Sequence, residues 1–215
     1  MFFKAINDGT GLFILLVVYV DDILAISNSQ ALIDSVLQQI EAKFSITKLG
    51  FPKWFLGIRI TRDDAGNIYL DQAKAVMDLL KRFNMESLSY IQFPLPPKTQ
   101  LLPLEESEAP TNSPYRPLIG SMMYLMTCTR VDLTVPISLL SQFMANPGPK
   151  HWEASKKVVR YLKGTSDLGL KIQPDQSADL TNLVTAYADS DWAKDPIDRK
   201  SYSGYVLYVG KSLIS

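Results

Sequence analysis

The stretch "LLVVYVDDILAIS", Leu15 to Ser27, sets two adjacent carboxylates, Asp21 and Asp22, between two runs of apolar, largely β-branched residues. Such runs favour extended backbone and a polar break between them marks a turn, so Gly11 to Ile26 is expected to form strand, tight turn, strand. Adjacent carboxylates repel, and burying them costs on the order of several kcal/mol per charge unless a cation compensates. A divalent cation does so, and hard oxygen ligands favour Mg²⁺. One or two Mg²⁺ ions held there against phosphate oxygens would suit phosphoryl or nucleotidyl transfer. The chain carries its own comparison: Asp63-Asp64 is the same dipeptide, but Arg62, Gly66 and Asn67 beside it mark an exposed hairpin loop. The residue types alone leave a metal site and a plain turn both open for Asp21 and Asp22.

Outward from this stretch, Ser27 with Gln30 suits a capping box for a helix whose apolar stripe is Ile33, Val36, Leu37, Ile40 and Phe44. "WFLGIRITRDDAGNIYL", Trp54 to Leu70, reads as a hairpin turning at Asp63–Asn67, with Gly66-Asn67 as its turn chemistry. Asp71 is placed to cap a second helix with Val76, Leu79, Leu80 and Phe83 on its apolar face. Seven of the chain's 13 prolines lie between Pro94 and Pro117, beside Glu105, Glu106 and Glu108, which predicts an extended, exposed connection between two packed units. Leu118, Met122, Leu125 and Met126 predict a buried helix, and Leu133 to Met144 another, before Pro147 and Pro149 break the chain. In the helix expected around Trp152–Lys163, Trp152, Ser155, Val159 and Leu162 share one side and Lys156, Arg160 and Lys163 another. "VTAYADSDW" and "GYVLYVG" then read as two strands joined by a polar connection.

The 215 residues, 47% hydrophobic and 20% charged, describe a folded globular protein rather than a disordered tail. A net charge of +0 lacks the basic excess of a stand-alone nucleic-acid binder, so any such role rests on local patches. The one cysteine, Cys128, excludes an intramolecular disulfide and a cysteine-based zinc site, and the one histidine, His151, excludes a His-rich metal site. The apolar run Gly11–Val20 is too short to span a bilayer, and the N-terminus lacks a signal-peptide pattern, so a soluble, intracellular protein without a membrane partner is expected.

Tyr19-Val20-Asp21-Asp22 resembles the YxDD motif of reverse transcriptases. The likeness extends through "YVDDILAIS", "FSITKLGFPKWFLGIRI", "YRPLIGSMMYLMTCTRVDLTVPISLLSQFM", "HWEASKKVVRYLKGT" and "AYADSDWAKDPIDRKSYSGYV". Together these resemble consecutive blocks of the copia-type retrotransposon Pol polyprotein, across nearly the whole chain. The resemblance implies that Asp21 and Asp22 are palm carboxylates that bind Mg²⁺, with Asp21 the direct ligand. It implies that Phe55 to Ile60 form a primer-gripping hairpin where Trp54 and Arg59 contact nucleic acid, and that Lys156, Arg160 and Lys163 meet phosphates. By the same likeness Asp189 is the first metal-binding carboxylate of a ribonuclease H domain, Asp191, Asp195 and Asp198 are weaker matches, and Asp198 to Ser201 form a turn element.

The expected fold is therefore α+β: a partial polymerase palm over residues 1–97, a proline-rich linker over 98–114, and a helical thumb over 115–165. The start of a truncated ribonuclease H-like sheet follows over 180–215. The family's third palm carboxylate and its fingers would lie upstream of Met1, and the other nuclease carboxylates beyond Ser215. The expectation is a fragment of a reverse transcriptase acting on an RNA/DNA primer–template, inactive alone for want of a complete metal clamp. The alternatives are a non-catalytic nucleic-acid-binding remnant and a decayed element with no stable product.

Overall fold

The computed structural model describes residues 2–5, 11–96, 99–105, 107–174, 183–193 and 199–214, and the chain divides into two units, Met1–Leu56 and Gly57–Ser215. The protein is α+β, and no helix of the described residues is long and apolar enough to cross a membrane.

In the first unit, β1 (Phe2–Ala5), β2 (Phe13–Tyr19) and β3 (Asp22–Ser27) form an antiparallel sheet in that order. The register pairs Leu16 with Ala25 and Tyr19 with Asp22, so the expected hairpin forms with Val20 and Asp21 as its loop. Helix α1 (Gln30–Glu41) follows. Its cap is Ser29, whose Oγ accepts from the Leu32 N–H at 3.4 Å, and not the expected Ser27. Ser27 is still in β3, and its hydroxyl closes the hairpin base by donating to the Phe13 carbonyl at 2.6 Å. Ile33, Val36, Leu37 and Ile40 are half-buried, as the stripe predicts, whereas Phe44 lies beyond the helix and is exposed. Among the described residues Ile14 is the fully buried apolar side chain of this unit. The two-residue strand β4 (Trp54–Phe55) ends it.

The second unit opens on β5 (Ile58–Arg62) and β6 (Ile68–Asp71), which pair antiparallel. Their turn forms as expected. The Asp63 carboxylate accepts from the Asn67 backbone N–H (2.9 Å), the Asn67 side-chain amide (2.7 Å) and the Tyr69 hydroxyl (3.0 Å). These bonds, led by the Asn67 amide, hold the Asp63 carboxyl below its ordinary pKa. A third strand, β7 (Gly169–Ile172), joins β6 antiparallel from far along the chain.

Helices α2 (Ala73–Arg82), α3 (Tyr115–Cys128), α4 (Thr134–Ser141) and α5 (Pro149–Gly164) share one core. Val76, Leu80, Leu118, Met122, Val159 and Leu162 meet there, each almost wholly removed from water and contributing roughly 1.5–3 kcal/mol. Helix α2 stops in a Schellman turn: Asn84 is left-handed (φ 55), and the Met85 N–H donates to the Leu80 carbonyl at 2.8 Å. The helix expected over Leu133 to Met144 is split, with a 3₁₀ turn at Val131–Leu133 before α4.

Because α2 packs into the same core as α3, the proline-rich segment is not a spacer between two units, and the division of the chain falls at residues 56 and 57 instead. Leu95 and Leu101 pack against the core and the Thr111 N–H donates to the Pro147 carbonyl at 2.8 Å, so the segment is a strap laid over one body. Its Glu106 lies outside the described residues. Proline composition cannot distinguish a strap from a spacer, since both need extended backbone.

His151 fastens the strap. It is 2% exposed and stacks on Phe143 with ring centres 4.1 Å apart. Nδ1 accepts from the Gly148 N–H at 2.8 Å, which leaves Nε2–H to donate to the Leu102 carbonyl at 3.0 Å. Burial pushes the imidazole below its ordinary pKa, against a smaller pull upward from the Leu102 carbonyl and Glu108. The unfolded chain therefore binds the proton at a higher pH than the folded one. This contribution to stability is complete above the ordinary histidine pKa and is lost as pH falls below it. Melting curves at falling pH should show this loss in the wild-type chain and a flatter profile in His151→Gln.

The C-terminal part forms an antiparallel sheet of β8 (Val184–Ser190), β9 (Ser203–Val209) and β10 (Ser212–Leu213), in the order β10-β9-β8. Within the second unit, Ser212 ties it to the Gln173 backbone, accepting from its N–H at 2.8 Å, and Gln142 bonds the Tyr202 hydroxyl.

Candidate active site at the carboxylate hairpin

The β2–β3 hairpin is fixed at its base and free at its tip. At the base the Phe13 N–H donates to Asn28 Oδ1 (3.2 Å), and Asn28 Nδ2 donates to the Gly11 carbonyl (3.1 Å). At the tip Val18, Tyr19 and Val20 are 41%, 58% and 86% exposed, and Asp21 and Asp22 are exposed as well. The carboxylates are thus presented to solvent on a rigid stalk rather than sunk among the apolar residues that precede them.

Val20 has φ 53 and Asp21 is not left-handed, which is the pattern of a type II′ turn. That first position normally takes glycine, and a β-branched residue there is strained by on the order of 1–3 kcal/mol. The strain persists because the paired strands on either side determine the turn. It sets Asp21 in the loop beside Asp22, the first residue of β3.

This donor set suits Mg²⁺ in kind: two neighbouring hard-oxygen carboxylates, open to water and phosphate. It is short in number, since no group of three His, Cys, Asp or Glu able to hold a metal occurs among the described residues. Asp189 lies in the second unit on exposed β8, opposite Gly204, with Oδ1 accepting from the Ser190 N–H at 2.9 Å. Asp191 accepts from the Tyr202 N–H at 3.0 Å and continues the β8–β9 ladder, a structural task. Asp195 and Asp198 lie outside the described residues.

The cations singled out by the sequence all have protein partners. Arg59 Nε donates to Asp71 Oδ2 at 2.9 Å, while Asp71 Oδ1 accepts from the Ala73 N–H at the start of α2; the cap position itself is Gln72 and not the expected Asp71. Lys156 pairs with Glu153 at 2.6 Å. Arg160 donates to the Ser89 carbonyl (2.7 Å) and Ser89 Oγ (2.9 Å), and Lys163 to the carbonyls of Glu86 (2.5 Å) and Leu88 (2.8 Å). The basic side of α5 thus clamps the loop that follows α2. Trp54 is 48% exposed.

Sequence reasoning missed the left-handed Val20 and an ionic cluster built on a buried arginine and a half-exposed carboxylate. Arg130, 1% exposed, holds Asp132 through Nε (3.0 Å) and Nη2 (2.8 Å), and donates to the Thr165 carbonyl (2.9 Å) and hydroxyl (2.8 Å). Tyr161 completes it by donating to Asp132 at 2.8 Å. The signal was the Arg130-Val131-Asp132 spacing at a helix break, which pairs two charges locally.

Residues 1–97 match the family model described as "Reverse transcriptase (RNA-dependent DNA polymerase)". The whole chain is 36% identical to the retrovirus-related Pol polyprotein from transposon RE2 of Arabidopsis thaliana, of which it spans 15%. It is 32% identical to the corresponding polyprotein from transposon TNT 1-94 of Nicotiana tabacum, of which it spans 16%. An uncharacterized mitochondrial protein of Arabidopsis thaliana is 32% identical over 93% of this chain and 80% of its own length. No solved structure matches. The YVDD hairpin and the blocks that follow it therefore have their counterparts in transposon polyproteins, and the chain belongs to the reverse transcriptase family of retrotransposon Pol polyproteins.

Proposed function

We propose that the chain corresponds to the part of a retrotransposon reverse transcriptase that carries the catalytic carboxylate hairpin, with a primer-gripping segment, a thumb-like helical body and the opening strands of a ribonuclease H-like sheet. The observation that carries this reading is the solvent-facing Val20-Asp21-Asp22 tip on a base-locked hairpin. Mg²⁺ bound there supplies charge neutralisation for phosphoryl oxygens during nucleotidyl transfer. Asp21 and Asp22 contribute the ligating oxygens, the strained turn holds them side by side, and exposure of the tip lets a primer terminus approach. Trp54 offers a half-exposed ring for stacking at the primer-grip segment. Arg59, Lys156, Arg160 and Lys163 would meet phosphates only by sharing or exchanging the partners they hold, so the salt dependence of primer–template binding should be shallow. Asp189 would serve the nuclease half.

With two carboxylates at the tip, these 215 residues alone should extend a primer no faster than background. Mn²⁺ added to the purified chain should broaden amide resonances at Tyr19–Ile23, and Asp21→Asn should remove the effect. Broadening spread evenly over surface carboxylates would sink the metal site, and Mg²⁺-dependent extension abolished by Asp21→Asn would overturn the expected inactivity.

A further inference from the structure

At its turn the β5–β6 hairpin is held by its own residues, Asp63 with Asn67 and Tyr69. At its open end the residues that flank the two strands, Gly57 before β5 and Gln72 after β6, both meet α3. Gly57 is left-handed (φ 76), and so is Leu56 before it (φ 49), where a leucine is strained. A Cβ at Gly57 would stand 2.9 Å from the Tyr124 hydroxyl oxygen, so that hydroxyl fills the space a side chain would need. Gln72 is 1% exposed, and its Oε1 accepts from the hydroxyl of Thr129, the cap residue that ends α3, at 2.9 Å. Thr129 is buried too, and its N–H donates to the Leu125 carbonyl at 3.1 Å, which keeps it in register with the helix. The step from Tyr124 to Thr129 spans roughly 7.5 Å of helix axis, so one short stretch of α3 meets both strands. The Gln72 amide carries a penalty, because Nε2 has no hydrogen-bond partner among the described residues. An apolar side chain of that size would avoid the loss. What the amide supplies instead is a directed bond to α3.

We infer that Tyr124 and Thr129 are positioning residues: acting through Gly57 and Gln72, they register the β5–β6 hairpin on α3, so that the primer-gripping segment is held by the helical body. This rests on the gripping role proposed above for Phe55 to Ile60, the segment that contains Gly57. Neither residue touches nucleic acid in this role. Tyr124 acts on the strained Leu56-Gly57 pair, and such backbone keeps its conformation only where its surroundings determine it. Thr129 acts on the other strand. It fixes Gln72, whose neighbour Asp71 holds Arg59 of β5 at 2.9 Å. A hairpin loosened from α3 would keep every nucleic-acid contact it can make but would have to be ordered on binding, and that lowers affinity.

Amide exchange in the full chain, read beside its binding to a fluorescein-labelled DNA primer annealed to an RNA template, tests this. Gln72→Leu with Thr129→Val removes the bond and the unpartnered amide together, so the melting temperature should hold or rise. Exchange in β5 and β6 should nonetheless quicken about tenfold while α4 and α5 stay as they are. Tyr124→Phe should quicken exchange at Ile58 and Arg59. In both variants affinity for the primer–template should fall about three- to tenfold with the salt slope unchanged, since no charge has been altered. Ser121→Ala is the control: its hydroxyl bonds back to the Pro117 carbonyl within α3, and its loss should change neither readout. Unchanged exchange in β5 and β6, faster exchange with full affinity, or losses that merely follow a falling melting temperature would each overturn the inference. A wild-type chain that does not bind the primer–template would instead sink the gripping role, and the exchange rates would still decide whether α3 registers the hairpin.

Discussion

Asp132→Ala should cost on the order of 2–3 kcal/mol, below the loss from a fully enclosed pair because the Asp132 side chain is 35% exposed, yet a large share of the ~5–15 kcal/mol by which a domain of this size is stable. The reason is what remains behind. Arg130 is 1% exposed, and its guanidinium keeps two bonds to Thr165 but loses both bonds to the carboxylate, leaving a cation uncompensated in the interior. Tyr161 loses its acceptor in the same step. Burial acts to raise the Asp132 pKa, yet the Arg130 bond and charge outweigh it and hold the carboxyl below its ordinary value. The folded chain therefore resists protonation of Asp132, and this stabilisation is lost as pH falls through that lowered value. Arg130→Met with Asp132→Leu should lose far less than Asp132→Ala, because no charge is left unpaired. Urea midpoints for the two variants check the order; equal losses would show that the cluster acts by shape rather than charge.

Among the described glycines, Gly169→Ala should be the most damaging single-methyl change. A Cβ at Gly169 would stand 2.0 Å from the Leu70 carbonyl oxygen and 3.0 Å from Asp71 Cα, all backbone that cannot rotate aside. Overpacking of this kind costs typically about 1–3 kcal/mol, and more where the obstruction is main chain. The damage would not stay local, since Asp71 both holds Arg59 and accepts from the first N–H of α2. Gly164→Ala is the milder comparison: its Cβ would meet Tyr90 Cβ at 2.9 Å, and relief needs only a shift of the exposed Tyr90 loop, which lies outside any helix or strand. Thermal melts should show a several-fold larger loss for Gly169→Ala, and amide exchange should show it concentrated in β6 and β7.

Elements whose cause is local were legible in the sequence. The β2–β3 and β5–β6 hairpins follow from apolar runs around a polar break, and α1, α2 and α3 from apolar spacing, because those signals are carried by residues within one or two turns of each other. Strand β7 was not legible: four residues, Gly169–Ile172, carry no period, and only the distant β6 makes them a strand. The strap was misread because its proline content reports backbone stiffness and says nothing about what the chain lies against. At the candidate site the residue identities were readable and the setting was not. Asp21 and Asp22 looked enclosed because their sequence neighbours are apolar, whereas the tip stands clear of any packing. The Lys156, Arg160 and Lys163 side of α5 looked like an open charged surface, but the carbonyls that occupy it come from residues more than 70 positions earlier.

Those long reaches bear on how the chain acquires its structure during synthesis. Arg160 closes on Ser89 across 71 residues, Thr129 on Gln72 across 57, and His151 on Leu102 across 49. Each closure costs loop entropy before any packing offsets it, which slows folding relative to a bundle built from adjacent helices. Helix α2 leaves the ribosome well before α5, the helix that covers it, so its apolar face waits exposed until Gly164 has emerged. The α2–α5 interval is thus a window in which the nascent chain exposes aggregation-prone apolar surface, while the β2–β3 hairpin, closed across a two-residue loop, can form as soon as Asn28 is free of the exit tunnel.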